Sequence, residues 1–73
     1  MIVQPISPVV EFLSAAIEAY KIKHGMSGKE AANLFAQYGV LDFLADGYDL
    51  LHTQSLDYVV GETEAYMRNR GRV

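Results

Sequence analysis

The sequence predicts an all-α protein, a compact bundle of about four short helices. Three observations predict it. Apolar residues recur at three-and-four spacing through most of the chain. Serines stand just ahead of those periodic runs and glycines just behind them, as helix starts and stops require. No stretch of useful length alternates apolar and polar residues as a half-buried strand would.

The first helix opens at Ser7-Pro8, an N-cap residue followed by a proline tolerated at the first helical position. It runs to about Lys23 and ends at Gly25. Val9, Phe12, Leu13, Ala16, Ile17 and Tyr20 share one side, and Glu11, Ser14, Glu18 and Lys21 the other. Val10, Ala15, Ala19 and Ile22 narrow the polar stripe, so this helix reads as central, or as one that also meets a second subunit.

Ser27-Gly28-Lys29-Glu30 is a capping box that starts the second helix. Ala31, Leu34, Phe35 and Tyr38 form its apolar face, and Gly39 reads as a left-handed cap. The third helix is expected over about Leu41 to His52. Its apolar arc is Leu41, Leu44, Tyr48 and Leu51, with Phe43 and Leu50 at the edge. Gly47 lies inside it at a cost of about 1 kcal/mol, which suggests close approach of another backbone. Ser55 caps a fourth helix of about Leu56 to Asn69, with Asp57 at its positive end. Leu56, Val59, Val60, Thr63, Tyr66 and Met67 form its buried stripe; Gly61 weakens it and Gly71 ends it. The whole chain, 1–73, reads as one domain, with 1–6 and 71–73 loosely ordered.

A chain of 73 residues buries only about 60% of its unfolded surface, near the lower limit for a self-sufficient core. It has no cysteine, which excludes disulfides and thiolate zinc sites, and only two histidines, His24 and His52. Dense packing or self-association remains. A net charge of −3 argues against nucleic acid or an anionic membrane as partner. No uncharged apolar run is long enough to span a membrane, and no secretory leader is recognisable, so a cytoplasmic location is expected.

Residues Tyr20-Lys21, Ser27-Gly28 with Glu30-Ala31, Leu34-Phe35, Tyr38-Gly39-Val40, Asp42 with Leu44, Tyr48-Asp49 and Leu51-His52-Thr53-Gln54 resemble a bacterial family. The similarity is to the short proteins of domain-of-unknown-function family 3791 and covers Ile17 to Tyr58. Tyr-Gly-Val and Leu-His-Thr-Gln are its most specific segments. The resemblance implies a small helical bacterial protein with no activity to carry over. Members resemble accessory reading frames, some beside genes for ADP-ribosyltransferase-like proteins, which implies a partner or antitoxin-like role. This chain departs from the pattern at Gly47 and Gly61, where bulkier residues are ordinary.

Four constellations are candidates for chemistry. Asp42, Asp46 and Asp49 lie within about 60° of one another on the third helix, where three carboxylates suit a hard cation. His52 would add a nitrogen ligand for a transition metal. The same stripe lies opposite Leu44 and Leu51, so a solvated acidic face is the expectation and no metal or other cofactor is assigned. His52-Thr53 offers a base and a hydroxyl, yet the segment also suits the satisfaction of free backbone groups at a helix end. Five tyrosines, Tyr20, Tyr38, Tyr48, Tyr58 and Tyr66, are expected to pack their rings in the core or at a subunit interface. The second and third helices match a helix-turn-helix in length, but the three aspartates would repel phosphate. Arg68, Arg70 and Arg72 form a basic end that phosphate could meet, although cations there also complement the helix dipole.

No phosphate loop or catalytic motif is recognisable, so a non-enzymatic role is expected. The leading expectation is a protein–protein interaction module that self-associates, as a homodimer or with a neighbouring gene product. Divalent metal binding through Asp42, Asp46 and Asp49 and nucleic-acid binding through the C-terminal arginines are the alternatives. Val10, Phe12, Ile17, Ile22 and Tyr48 are the interface candidates.

Overall fold

A computed structural model describes residues 7–71, and every regular element among them is helical. Of the ends expected to be loose, 1–6 and 71–73, residues 1–6 and 72–73 lie outside the described residues, and the Gly71 N–H donates to the Arg68 carbonyl in a turn. The order is α1 (Pro8–His24), α2 (Gly28–Gln37), α3 (Val40–Asp46), α4 (Tyr48–Leu51) and α5 (Leu56–Asn69). The long helices α1 and α5 pack on each other, and α2 and α3 complete the bundle around them.

Local sequence chemistry explains the starts. The Ser7 hydroxyl accepts from the backbone N–H groups of Val9 and Val10, and Pro8 is the first helical residue. At α2 the Ser27 hydroxyl accepts from the Glu30 N–H at 3.0 Å, while the Glu30 carboxylate accepts from the Ser27 N–H at 2.9 Å. This reciprocal box satisfies two donors that a helix start would leave unpaired. Ser55 caps α5 by accepting from the Tyr58 N–H. Gly39 joins α2 to α3 in the left-handed conformation, φ 72°, which other residues adopt at a steric cost. The Tyr66 hydroxyl lies 3.7 Å from the point a Cβ would occupy there.

The third expected helix is two helices. Gly47, at φ −94° and ψ 11°, lies outside the α region and separates α3 from the single turn of α4. A glycine gains little from helical geometry and loses much chain freedom, so the break falls there. The expected neighbour, a backbone from another element, is not what Gly47 meets. A Cβ would lie 3.0 Å from Leu51 Cδ1 and 3.4 Å from the Phe43 carbonyl oxygen, both local. Gly61 leaves α5 unbroken and has nothing within 4 Å of its missing Cβ.

The core comprises Phe12, Ala16 and Tyr20 from α1, Ala31 and Phe35 from α2, Val40 and Leu44 from α3, and Val59, Val60 and Met67 from α5. Val40, expected in the connection, is fully buried because α3 begins one residue earlier than its apolar arc suggested. Two expected apolar positions lie outside the core. Leu50 is 78% exposed, and Leu56 is 43% exposed because, as the first residue of α5, it precedes the turn that meets the other helices. Aromatic edges lock the elements together. Tyr20 meets Phe35 edge-on at 5.4 Å, Phe12 meets Tyr48 edge-on at 5.5 Å, and Phe43 stacks on Tyr66 at 4.2 Å.

One polar atom in this core has no partner among the described residues, the hydroxyl of fully buried Thr63. Burying an unpaired hydroxyl costs about 1–3 kcal/mol. Thr63→Val, which keeps the shape and removes the hydroxyl, should therefore raise the unfolding free energy by about 1 kcal/mol in a urea titration. In the same assay Leu44→Ala should cost about 2–5 kcal/mol by opening a cavity, and Asp46→Ala, on the solvent side, should be nearly neutral. A reversal of those two costs would contradict the assignment of helix faces.

Candidate functional site

The residues proposed for chemistry are dispersed along the surface. Asp42, Asp46 and Asp49 are all exposed. Among the described residues no group of three or more histidine or carboxylate side chains comes together to hold a metal ion. His52 is engaged locally: its Nδ1–H donates to the Tyr48 carbonyl, and its ring stacks on the Tyr48 ring at 4.2 Å. The Thr53 hydroxyl donates to the Leu50 carbonyl at 2.8 Å. Both side chains thus close the C-terminal end of α4, Thr53 on the Leu50 carbonyl and His52 as a second donor to the Tyr48 carbonyl, which also accepts the His52 backbone N–H. Arg68 is exposed, and Arg70 lies over the Tyr66 ring at 5.1 Å. Arg72 lies outside the described residues.

The interface candidates are divided by the fold. Phe12 is buried in the chain's own core and Tyr48 is half-buried against it. Ile17 is also half-buried. Val10 and Ile22 are 50% and 71% exposed, yet twelve helical positions put them about 18 Å apart and about 120° apart around α1. They do not make one face.

Exposed apolar surface concentrates instead where α4 meets the start of α5. Leu50, Leu56 and Tyr58 are exposed there. Beside them lies a cleft of about 370 Å³, lined by Phe43, Gly47, Leu50, Leu51, Gln54, Tyr58 and Glu62. Gly47 lines this cleft, and Leu51 Cδ1 lies 3.0 Å from the point a Cβ would occupy there. Its charged lining residue is Glu62, and the Arg70 guanidinium lies over Tyr66, the ring that stacks on cleft-lining Phe43. Asp42, Asp46, Asp49, Asp57 and Glu62 occupy this part of the chain, and no Lys or Arg occurs between Lys29 and Arg68.

A second cleft, about 350 Å³, lies at the C-terminal end of α1, between Tyr20, His24, Glu64, Met67 and Arg68. Its chemistry is an ion cluster that sequence spacing did not reveal, because its members are forty residues apart. The Glu64 carboxylate accepts from His24 Nε2 at 2.7 Å and from Lys23 Nζ at 3.0 Å. His24 also stacks on Tyr20 at 4.2 Å. Burial pushes the Glu64 carboxyl up, but the hydrogen bonds and charges of Lys23 and His24 outweigh it and hold the group below its usual 4.5. The cluster fastens α1 to α5. It presents no nucleophile, and its carboxylate is already paired.

A carboxyl held low in the folded state stabilises the fold above its unfolded value and loses that contribution as pH falls through the folded one. Thermal unfolding followed below pH 4.5 should therefore show a steeper loss of melting temperature for the parent chain than for Glu64→Gln, which has no proton to take up. Parallel curves would show that the cluster adds nothing to stability.

No curated protein and no solved structure matches the chain. A family profile, described as "Protein of unknown function (DUF3791)", matches residues 11–70. That span takes in every helix from the first turn of α1 to the end of α5, with the Gly39 joint, the α4 end formed by His52 and Thr53, and the apolar cleft. By sequence, this chain belongs to domain-of-unknown-function family 3791.

Proposed function

We propose that the protein is a non-catalytic interaction module of the bacterial cytoplasm that self-associates through the cleft between α4 and α5. One observation carries this reading: an 8.1 kDa chain with a small core leaves Leu50 78% exposed at an apolar cleft that exposed Tyr58 also lines. Isolated exposed apolar residues are ordinary on protein surfaces; a contiguous group lining a concavity marks a contact site. A domain this small also gains from association, because a partner extends its buried apolar area. An accessory or antitoxin-like role is compatible with this reading, since such proteins act by contact.

The reading is tested by sedimentation velocity across a concentration series reaching high micromolar. The weight-average mass should rise with concentration for the parent chain. Leu50→Glu should weaken the association by at least about tenfold, since a charge replaces an apolar anchor at the centre of the contact. Its melting temperature should stay near the parent value, because the side chain is exposed in the monomer. A strictly monomeric parent chain at every concentration would overturn the proposal.

A further inference from the structure

Glu62 is the charged side chain that lines the cleft between α4 and α5, and among the described residues it forms no ion pair. Whatever closes the cleft takes this carboxylate out of water. The occupant must then bring a cation to it, because a buried, unpaired charge is among the costliest features a contact can contain. When the occupant is a second copy, the chain itself supplies that cation. Of the described lysines and arginines, Lys21 and Lys23 are already held by Glu18 and Glu64. Lys29 belongs to α2, which lends no residue to the cleft, and Arg68 lines the other cleft beside Tyr20 and His24. Arg70 is placed differently. Its guanidinium lies over the Tyr66 ring at 5.1 Å, and Tyr66 stacks at 4.2 Å on Phe43, which lines the cleft. Arg70 also forms no ion pair among the described residues.

Spacing makes these two groups complementary to their own copies. Glu62, Tyr66 and Arg70 follow at intervals of four, and each interval turns only about 40° around a helix, so they form one inclined ridge on α5. The Arg70 N–H donates to the Tyr66 carbonyl at 3.1 Å, which carries the helical path to this cap residue. The acid and the base thus stand on either side of Tyr66, each about 6 Å from it along the axis. A second copy of the ridge, turned antiparallel about a two-fold axis at Tyr66, sets Glu62 of each copy against Arg70 of the other. Moving the axis one turn, to Glu62, would set like charges together.

We infer that the chain forms a closed, two-fold symmetric dimer with α5 antiparallel to α5, in which Arg70 of each copy pairs with Glu62 in the cleft of the other. The inference rests on self-association through the cleft and adds the surface that fills it. The last turn of α5 from one copy closes over the cleft that Leu50 and Tyr58 line in the other. An isologous contact uses the same patch on both copies, so each pairing occurs twice and assembly stops at the dimer.

Charge reversal in the full chain tests this by sedimentation velocity. The parent's mass should level off at the dimer. Glu62→Arg and Arg70→Glu should each raise the dissociation constant at least about tenfold, because each brings like charges together at both ends of the contact. An equimolar mixture of the two variants should recover the dimer, since one chain then presents two cations and the other two carboxylates. Both substitutions in one chain should restore self-association as well. Arg70→Gln, a milder change at an exposed cap residue, should weaken the dimer in the same direction and keeps the test decisive if a reversal misfolds. If Arg70→Gln dimerises as tightly as the parent, if the folded reversal variants stay monomeric when mixed, or if the parent's mass climbs past the dimer, the symmetric contact falls while association through the cleft stands. If the parent itself is monomeric, both readings fall.

Discussion

Phe35 has no exposed surface, and its ring meets the edge of Tyr20, itself buried on α1. That contact binds α2 to the central helix, and the rest of the bundle is arranged around it. Ala16 and Ala31 are nearly or wholly buried beside it, small enough to let the helices approach closely. Val40, Leu44, Val59 and Met67 then fill the remaining space from α3 and α5. With no cysteine in the chain, and a size at which burial barely outweighs chain entropy, close packing of these side chains is what folds the protein. The cost of a cavity here is therefore a large fraction of the total stability.

The surface follows a different logic. Solvent-facing charges add little to stability in pairs, so they are free to be distributed for other reasons. The Glu64 cluster ties the ends of α1 and α5 together, while the carboxylates of α3, α4 and the start of α5 stand without cationic neighbours in sequence. Leu50 and Ile22 are the large apolar side chains left most exposed among the described residues.

Most of the residues that carry the family resemblance have structural work in this fold. Ser27 and Glu30 cap α2, Gly39 turns the chain, and Phe35, Val40 and Leu44 are core. Tyr48, His52 and Thr53 finish α4 by ring stacking and by side-chain hydrogen bonds to the Tyr48 and Leu50 carbonyls. Gln54, last of the Leu-His-Thr-Gln segment, differs: it lines the apolar cleft. The motif thus builds the corner in which the cleft lies, and the cleft is where exposed apolar side chains gather.

Local chemistry made the helices legible before any coordinates. Ser7, Ser27 and Ser55 satisfy N–H groups only a few residues away, and the buried stripes of α1 and α5 follow the helical repeat, so starts, ends and most of the core can be read from spacing. The exposure of Asp42 and Asp46 on α3 was legible for the same reason, because Leu44 determines which side is wet. Three things needed the tertiary structure. The break at Gly47 depends on whether packing elsewhere rewards a continuous helix enough to outweigh the glycine's freedom. The Lys23–Glu64–His24 cluster joins residues forty positions apart, for which the chain carries no local signal. The exposure of Leu50, Leu56 and Tyr58 depends on which neighbouring helix reaches that corner, and none does. Periodicity tells which side chains share a face; only the assembled helices decide whether that face is covered.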